Sequence, residues 1–130
     1  MPFVTIYMRK GCDDLAVAAC MKEISEAGAE IMENTLLRMV RVSIYDIPSY
    51  RIFEGGVLVA EDDIAPTVFF DIGPGRSDEA KAAFMAKITE ILHRNLGVPK
   101  ERVRAYVKDN DRPENFCIDG KVKDFSEKVK

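Results

Sequence analysis

The sequence contains no tryptophan, one histidine and three cysteines, and it has no long apolar run. A single histidine, together with Cys12, Cys20 and Cys117 at spacings unlike those of metal ligands, argues against a zinc site. No stretch approaches the roughly 18 apolar residues that span a bilayer. Charges from Lys10 onward interrupt the first apolar segment where a signal peptide would continue it. An odd number of thiols fits a reducing compartment, so we expect a cytoplasmic protein.

The chain also lacks a strong excess of one charge. Its 130 residues carry a net charge of −3, which gives no reason to expect a nucleic acid or an anionic membrane as the partner. The 47% of hydrophobic residues can form a core, and the 32% of charged residues can cover its surface. This composition favours one compact domain.

What the sequence does contain is an internal repeat. Residues 2–8 (PFVTIYM) are followed by Gly11, and residues 66–72 (PTVFFDI) are followed by Gly75, at a constant offset of 64 (66 − 2 and 75 − 11). Each segment opens with a proline, continues as a short apolar strand and breaks at a glycine. Ser77 is then the expected N-cap of a helix in the second copy, and Gly97 marks the expected end of that helix.

Each strand is followed by a helix and by a second strand. Apolar residues recur at helical spacing at Cys20, Ile24, Ala27 and Ile31 and again at Phe84, Ile88, Ile91 and Leu92. The second strands alternate around 40–45 and 103–108. An offset of 64 would pair Val40 with Arg104 and exchange the faces of one strand, so the apolar pattern predicts an offset of 63 and pairs Val40 with Val103.

Each half is therefore a strand–helix–strand unit with parallel strands. We predict an α+β fold of tandem β-α-β repeats, with a four-stranded mixed sheet and both helices on one face. Residues 1–63 form the first repeat with a hairpin and linker, residues 64–130 form the second, and together they make one compact domain. The other sheet face has no helical cover, so strand residues such as Val4, Ile6 or their neighbours must be buried by another subunit.

These motifs resemble the tautomerase superfamily, in particular 4-oxalocrotonate tautomerase and its fused, double-length relatives in the cis-3-chloroacrylic acid dehalogenase and malonate semialdehyde decarboxylase groups. The residues that carry the resemblance are Met1-Pro2, Val40-Arg41, residues 48–57, Gly75-Arg76-Ser77-Asp78-Glu79 and Val103-Arg104. The resemblance implies the tautomerase/MIF fold and a homotrimer. It also implies a keto–enol isomerase that acts on a small 2-oxo acid, as in aromatic compound degradation, and needs no cofactor or metal.

The resemblance also assigns site residues. Pro2, Arg76 and Arg104 become the catalytic residues, and Arg41 and Phe116 become substrate-binding residues. The proline is expected to act as general base and acid, the arginines to bind and polarise the carboxylate by bidentate hydrogen bonds, and the aromatic ring to line the pocket.

The chemistry sets a condition on Pro2. An internal proline nitrogen is an amide without basicity, whereas a terminal proline is a secondary amine, and an α-amino group titrates near ~8 or lower beside cations. Met1 must therefore be removed. Pro66 is internal and must be catalytically silent, while Cys12 stands where the second half has Arg76. One complete site thus needs contributions from both halves.

Departures from the relatives bear on the reaction type. Relatives that hydrate chloroacrylates have an arginine at the position of Gly73 and an acidic residue near the position of Glu114 or Asn115. The cis type also has a histidine at the position of Ala29. The decarboxylases have an arginine at the position of Pro74. Keto–enol tautomerisation is therefore the predicted activity. A hydratase, dehalogenase or decarboxylase of a short unsaturated or oxo acid remains an alternative, as does a non-catalytic trimeric binding protein.

The remaining polar residues are expected to have structural roles. We expect Arg9 to be exposed and His93, near the end of a helix, to favour the helix dipole. The cysteines are expected to be packing residues, with Cys12 the one to test for reactivity.

Overall fold

The computed structural model describes residues 2–122 and 129. Their strands and helices are β1 (Phe3–Arg9), α1 (Asp14–Ile31), β2 (Arg41–Ile47), β3 (Phe53–Glu54), β4 (Val57–Leu58), β5 (Thr67–Ile72), α2 (Asp78–Leu96), β6 (Arg104–Asp109), β7 (Cys117–Ile118) and β8 (Lys121–Val122). Short 3-10 turns lie at Leu37–Met39, Lys100–Arg102 and Pro113–Asn115.

Within the described residues, the main sheet has four strands in the order β2-β1-β5-β6. β1 and β2 are parallel, β5 and β6 are parallel, and the two halves meet through the antiparallel pair β1 and β5. Two short antiparallel hairpins, β3–β4 and β7–β8, lie outside this sheet. The predicted α+β fold of tandem β-α-β repeats with a mixed sheet is confirmed.

The strand register confirms the change of offset within the repeat. Arg41 lies opposite Phe3, and Arg104 lies opposite Thr67. The first strands are thus related by 64 residues (67 − 3) and the second strands by 63 (104 − 41). The apolar pattern predicts this difference because a slip of one residue would turn the apolar side of one strand toward solvent.

The core lies between the sheet and the helices. Val4, Ile6, Val68 and Phe70 face it from the sheet and are all at most 1% exposed. The predicted apolar stripes face it from the helices and are buried, with Ile31 partly buried: Cys20, Ile24, Ala27, Ile31, Phe84, Ile88, Ile91 and Leu92. Val4 and Ile6 are therefore buried by helices of their own chain, and it is their neighbours that point to the open face.

Four exposed aromatic side chains cross that open face, one from each strand. This aromatic row consists of Tyr45, Tyr7, Phe69 and Tyr106. Consecutive rings are in contact, with centroids 5.2, 6.0 and 6.3 Å apart along the row. The row alternates with the buried positions of the same strands, as side chains on successive strand residues must.

The ends of α2 confirm the predicted caps. Ser77 Oγ accepts a hydrogen bond from the Ala80 backbone N–H at 3.1 Å. Gly97 ends the helix with a positive φ of 72°, which glycine adopts without steric cost. His93 lies in the last turn, with its Nδ1 2.8 Å from the Val98 carbonyl oxygen. Among the described residues, the helices are too short or too polar to cross a membrane.

Arg9 corrects an expectation from the sequence. Its side chain is buried, with the residue only 5% exposed. The guanidinium donates from Nε to the Asp63 carbonyl at 2.9 Å, from Nη1 to Ser49 at 2.8 Å and from Nη2 to Val59 at 2.7 Å. A planar guanidinium can serve three acceptors at once, so Arg9 joins both ends of the segment 49–63 to the end of β1.

Candidate functional site

The strands of the sheet end along two opposite edges. The antiparallel pairing of β1 with β5 determines which residues lie together at each of these edges. Phe3 at the start of β1 pairs with Asp71 near the end of β5. One end of the sheet, here called the Pro2 edge, therefore carries Phe3, Arg41, Ile72 and Asp109. The opposite end, the Pro66 edge, carries Arg9, Ile47, Thr67 and Arg104.

Pro2 precedes β1 and is buried at the Pro2 edge. Its carbonyl oxygen accepts a hydrogen bond from the Arg41 backbone N–H at 3.0 Å, which extends the β1–β2 pairing by one bond. Met1 lies outside the described residues. A chain that retains Met1 has an amide at the Pro2 nitrogen, so this nitrogen is a basic amine only when Met1 is removed.

Two further predicted site residues lie beside Phe3, the neighbour of Pro2. The Phe116 ring is 5.7 Å from the Phe3 ring, measured between centroids, at an angle of 53°. The Arg41 guanidinium carbon lies 5.9 Å from the Phe3 centroid, within the range of a cation–π contact. The Pro2 edge thus combines an arginine and two aromatic rings at the start of β1.

Arg76 belongs to the turn after β5, at the same edge, and its side chain is held by the loop between α1 and β2. Nε donates to the Glu33 carbonyl at 3.0 Å, and Nη2 donates to Thr35 Oγ1 at 2.9 Å. Longer contacts of 3.4 Å join Nη2 to the Asn34 carbonyl and Nη1 to the Pro74 carbonyl. Partial burial lowers the pKa of the guanidinium from its very high usual value, and it stays charged at neutral pH.

The Glu33 side chain binds the same turn. Its two carboxylate oxygens lie 3.1 and 3.3 Å from the Ser77 backbone nitrogen, at the N-terminus of α2. This hydrogen bond lowers the pKa of the Glu33 carboxyl, and the nearby Arg76 charge adds to the effect. The loop 33–35 of the first half is thus hydrogen-bonded to two residues in the turn of the second half, Arg76 and Ser77.

Arg104 lies at the Pro66 edge, so one chain does not bring it to Pro2. Its Nη1 donates to the Glu101 carbonyl at 2.7 Å, and its Nη2 lies 3.9 Å from Glu54 Oε1. Its backbone N–H donates to the Pro66 carbonyl at 3.1 Å. With Pro66 and Phe53 it lines a pocket of about 260 Å³. Arg104 therefore has the same relation to Pro66 as Arg41 has to Pro2.

An ion-pair network beside that pocket could not be read from the sequence. Arg102 Nη2 lies 2.7 Å from Asp63 Oδ2 and also contacts the Glu54 carboxylate. The Glu54 hydrogen bond, followed by that of Asp63, raises the pKa of Arg102 further. The partners are 39 and 48 residues away along the chain (102 − 63 and 102 − 54), and nothing in the sequence pairs them.

Cys12 occupies the position that Arg76 has in the second half, and it lines a pocket of about 350 Å³ with Arg9 and Asn95. Partial burial raises the pKa of its thiol, and the Asp46 charge raises it further. The thiol is therefore not activated as a nucleophile. In the described part of the chain, no three His, Cys, Asp or Glu side chains are grouped to hold a metal ion.

Comparison with known proteins agrees with this architecture. Residues 66–126 match the tautomerase family, described as tautomerase enzymes. No curated protein matches the chain by sequence. In a wild-type fused 4-OT solved as an asymmetric trimer, 94% of the chain aligns with 92% of this one, at a TM-score of 0.81 and 23% identity.

Two other solved structures share the fold. The protein N1, a member of the cis-3-chloroacrylic acid dehalogenase family, aligns over 92% of this chain and 82% of its own, at 24% identity and a TM-score of 0.77. The macrophage migration inhibitory factor of Toxoplasma gondii aligns over 93% of this chain and 99% of its own, at 19% identity and a TM-score of 0.73. The expected resemblance is confirmed: residues 66–126 match the tautomerase family, and the chain as a whole has the fold of the solved fused 4-OT structures.

Proposed function

We propose that the protein is an enzyme that interconverts the enol and keto forms of a small 2-oxo acid, with the amine of Pro2 as general base and acid. The amine takes the proton from the enol hydroxyl, and the same proton is returned at the adjacent carbon. The reaction is a balanced isomerisation that needs no cofactor. Arginine side chains bind the carboxylate and stabilise the charge that develops on the carbonyl oxygen.

The observation that carries this proposal is the composition of the Pro2 edge. Pro2, Arg41, Arg76 and Phe116 come from segments up to 114 residues apart (116 − 2), yet all lie at one end of the sheet. A buried proline beside aromatic rings and guanidinium groups suits a proton-transferring amine, since catalysis is most efficient when the pKa of the base is near neutral pH.

Arg104 enters this site only from a neighbouring chain. A homotrimer would supply it, and the fused 4-OT with the same fold is solved as a trimer. The aromatic row also favours oligomerisation, because four large exposed rings form one apolar surface on the uncovered face of the sheet. In this proposal, Arg104 of one chain binds substrate at Pro2 of the next.

A hydratase is the second candidate, and the local structure does not favour it. Glu114, one of the two positions for a water-activating acid, is 2.7 Å from Arg112 Nε. The hydrogen bond of its own backbone and then that of Arg112 lower the pKa of its carboxyl. Gly73 and Pro74 supply no additional arginine. Tautomerisation needs the fewest groups: in this proposal, Pro2 and Arg76 at the Pro2 edge, with Arg104 from a neighbouring chain.

The test is a spectroscopic assay of phenylenolpyruvate ketonisation with wild type, Pro2→Ala and Arg76→Ala. The proposal predicts turnover by the wild type, with kcat/KM reduced about a hundredfold or more when the base or the carboxylate-binding arginine is lost. Equal turnover by all three proteins would rule out the assigned site. No turnover of any enol of a 2-oxo acid by protein with a free Pro2 would leave the non-catalytic binding protein as the better reading.

A further inference from the structure

We propose that Thr35 is a positioning residue that fixes the direction in which Arg76 presents its guanidinium group. The inference rests on the proposed function, because it assigns to Arg76 a carboxylate as its ligand. It adds a residue that belongs to no motif in the sequence and that lies 41 residues from Arg76 along the chain.

The first argument is burial. Thr35 is fully buried, at 0% exposure, in the connection between α1 and β2. A buried hydroxyl needs hydrogen-bond partners, and this one has both an acceptor and a donor. Oγ1 donates to the Glu33 carbonyl at 3.1 Å and accepts from Arg76 Nη2 at 2.9 Å. The hydroxyl hydrogen is used by the carbonyl, so the lone pairs are directed to the guanidinium.

The second argument is the number of N–H groups that remain on Arg76. A guanidinium has five N–H donors in a rigid plane. Nε and Nη2 use theirs on Glu33, Asn34 and Thr35, and Nη1 uses one on Pro74 in a long contact of 3.4 Å. Among the described residues, the second N–H of Nη1 has no acceptor.

The geometry has a consequence for recognition. An arginine binds a carboxylate in bidentate fashion through Nε and Nη2 or through Nη1 and Nη2, and the loop 33–35 occupies Nε and both N–H groups of Nη2. Arg76 therefore offers the substrate the Nη1 end and can hold one carboxylate oxygen, which corrects the bidentate binding expected of it from the sequence. The second oxygen must be bound by another donor, which the proposed function places on Arg41 or on Arg104 of a neighbouring chain.

The hydrogen bond to Thr35 restricts rotation of the Arg76 guanidinium plane. The Arg76 side chain has several rotatable bonds; apart from Thr35, its one short hydrogen bond among the described residues is to the Glu33 carbonyl, and the contacts with Asn34 and Pro74 are 3.4 Å long. The bond at Thr35 adds a second fixed point on the same edge, so the plane and the Nη1 end are both oriented before substrate arrives. Preorganised donors of this kind cost no reorganisation during binding or reaction.

The test uses three variants. Thr35→Val keeps the shape and removes the acceptor, whereas Thr35→Ser keeps the hydroxyl. Thr89→Val is the matched control, because the Thr89 hydroxyl donates to the Met85 carbonyl at 2.9 Å on α2 and is not among the hydrogen-bond partners of Arg76. Phenylenolpyruvate turnover gives KM and kcat, and NMR of the Arg76 Nε–H group gives its exchange rate and its shift during titration with phenylpyruvate.

The proposal predicts that Thr35→Val raises KM about tenfold, with a smaller change in kcat. The Arg76 Nε–H then exchanges faster and responds to phenylpyruvate at about tenfold higher concentration. Thr35→Ser and Thr89→Val stay within about threefold of wild type in all three readouts. A merely stabilising role would instead lower the unfolding temperature and leave KM unchanged.

Other outcomes overturn one proposal or the other. Wild-type KM and wild-type Nε–H exchange in Thr35→Val would overturn the positioning role. So would faster exchange with an unchanged KM and an unchanged phenylpyruvate titration. Absence of turnover in every protein, with the titration still weakened by Thr35→Val, would overturn the proposed catalytic function and support the positioning of Arg76 for a carboxylate ligand.

Discussion

The backbone N–H of Arg41 donates to the carbonyl oxygen of Pro2 at 3.0 Å, and the same bond joins Arg104 to Pro66 at 3.1 Å. The two prolines are therefore equivalent in the fold, at opposite edges of one sheet. They are not equivalent in chemistry, because Pro66 has an amide nitrogen in every form of the chain. The fold offers two similar positions, and removal of Met1 can activate only one.

The buried Arg9 predicts a large loss of stability on substitution. In Arg9→Met, three carbonyl groups lose their donor, and we expect the free energy of unfolding to fall by about 3 kcal/mol. Urea unfolding followed by circular dichroism measures this. Arg38→Met, at an exposed arginine, is the control and should change it by less than about 0.5 kcal/mol. Equal effects of the two variants would contradict the role of Arg9.

The Glu33 carboxylate predicts a dependence of stability on pH. Its pKa is lowered in the folded chain, mainly by the Ser77 backbone N–H, so the unfolded state binds its proton first as the pH falls. Its contribution is present above the usual value of 4.5 and is lost as the pH falls through the folded value. Glu33→Gln should therefore unfold more easily than wild type at pH 7, and the difference should shrink as the pH falls below 4.5. A constant difference across that range would contradict this assignment.

The aromatic row predicts how the chain associates. A charge at its centre, as in Tyr7→Glu or Phe69→Glu, should leave a monomer near the chain mass of 14.6 kDa. Leu15→Glu is the control, since Leu15 is 81% exposed on α1 and outside the row. Sedimentation equilibrium gives the mass directly. A wild-type mass in Tyr7→Glu and Phe69→Glu would show that the chain associates through another surface.

The three thiols should differ in their reactivity. Burial raises the pKa of Cys20 to about 11, Cys12 is partly buried with a raised pKa, and Cys117 is exposed. Alkylation by iodoacetamide at pH 8, followed by peptide mass spectrometry, should modify Cys117 first, Cys12 slowly and Cys20 only after unfolding. Faster modification of Cys12 than of Cys117 would mean that Cys12 is activated.

Much of the fold could be predicted because its helices and strands leave periodic patterns of apolar residues in the sequence. The two helix stripes, the caps at Ser77 and Gly97, and the change of offset between the strands all follow from the spacing of apolar and cap residues. The antiparallel pairing between the halves has no such evidence, because apolar spacing does not distinguish it from parallel pairing; the mixed sheet instead belongs to the fold that the family resemblance implies. Arg104 therefore resembles Arg41 in sequence, although β1 and β5 are antiparallel and place the two arginines at opposite edges.

The side-chain network of the site was less accessible to sequence reasoning. The burial of Arg9 depends on three carbonyls that converge from the segment 49–63, and carbonyls carry no sequence information. Thr35 is one threonine in a loop without a recognisable motif, and its partner Arg76 is 41 residues away. Such contacts depend on the packed structure, which local spacing does not describe.

The most direct test of the central claim compares two forms of the protein that differ only in Met1. Intact-mass analysis identifies the preparation in which Pro2 is the terminus and a second preparation in which Met1 is retained, and both are assayed for phenylenolpyruvate ketonisation. A free proline amine predicts turnover by the first form and its loss in the second. Equal turnover by both forms would contradict the account, because the nitrogen of an acylated Pro2 has no basicity.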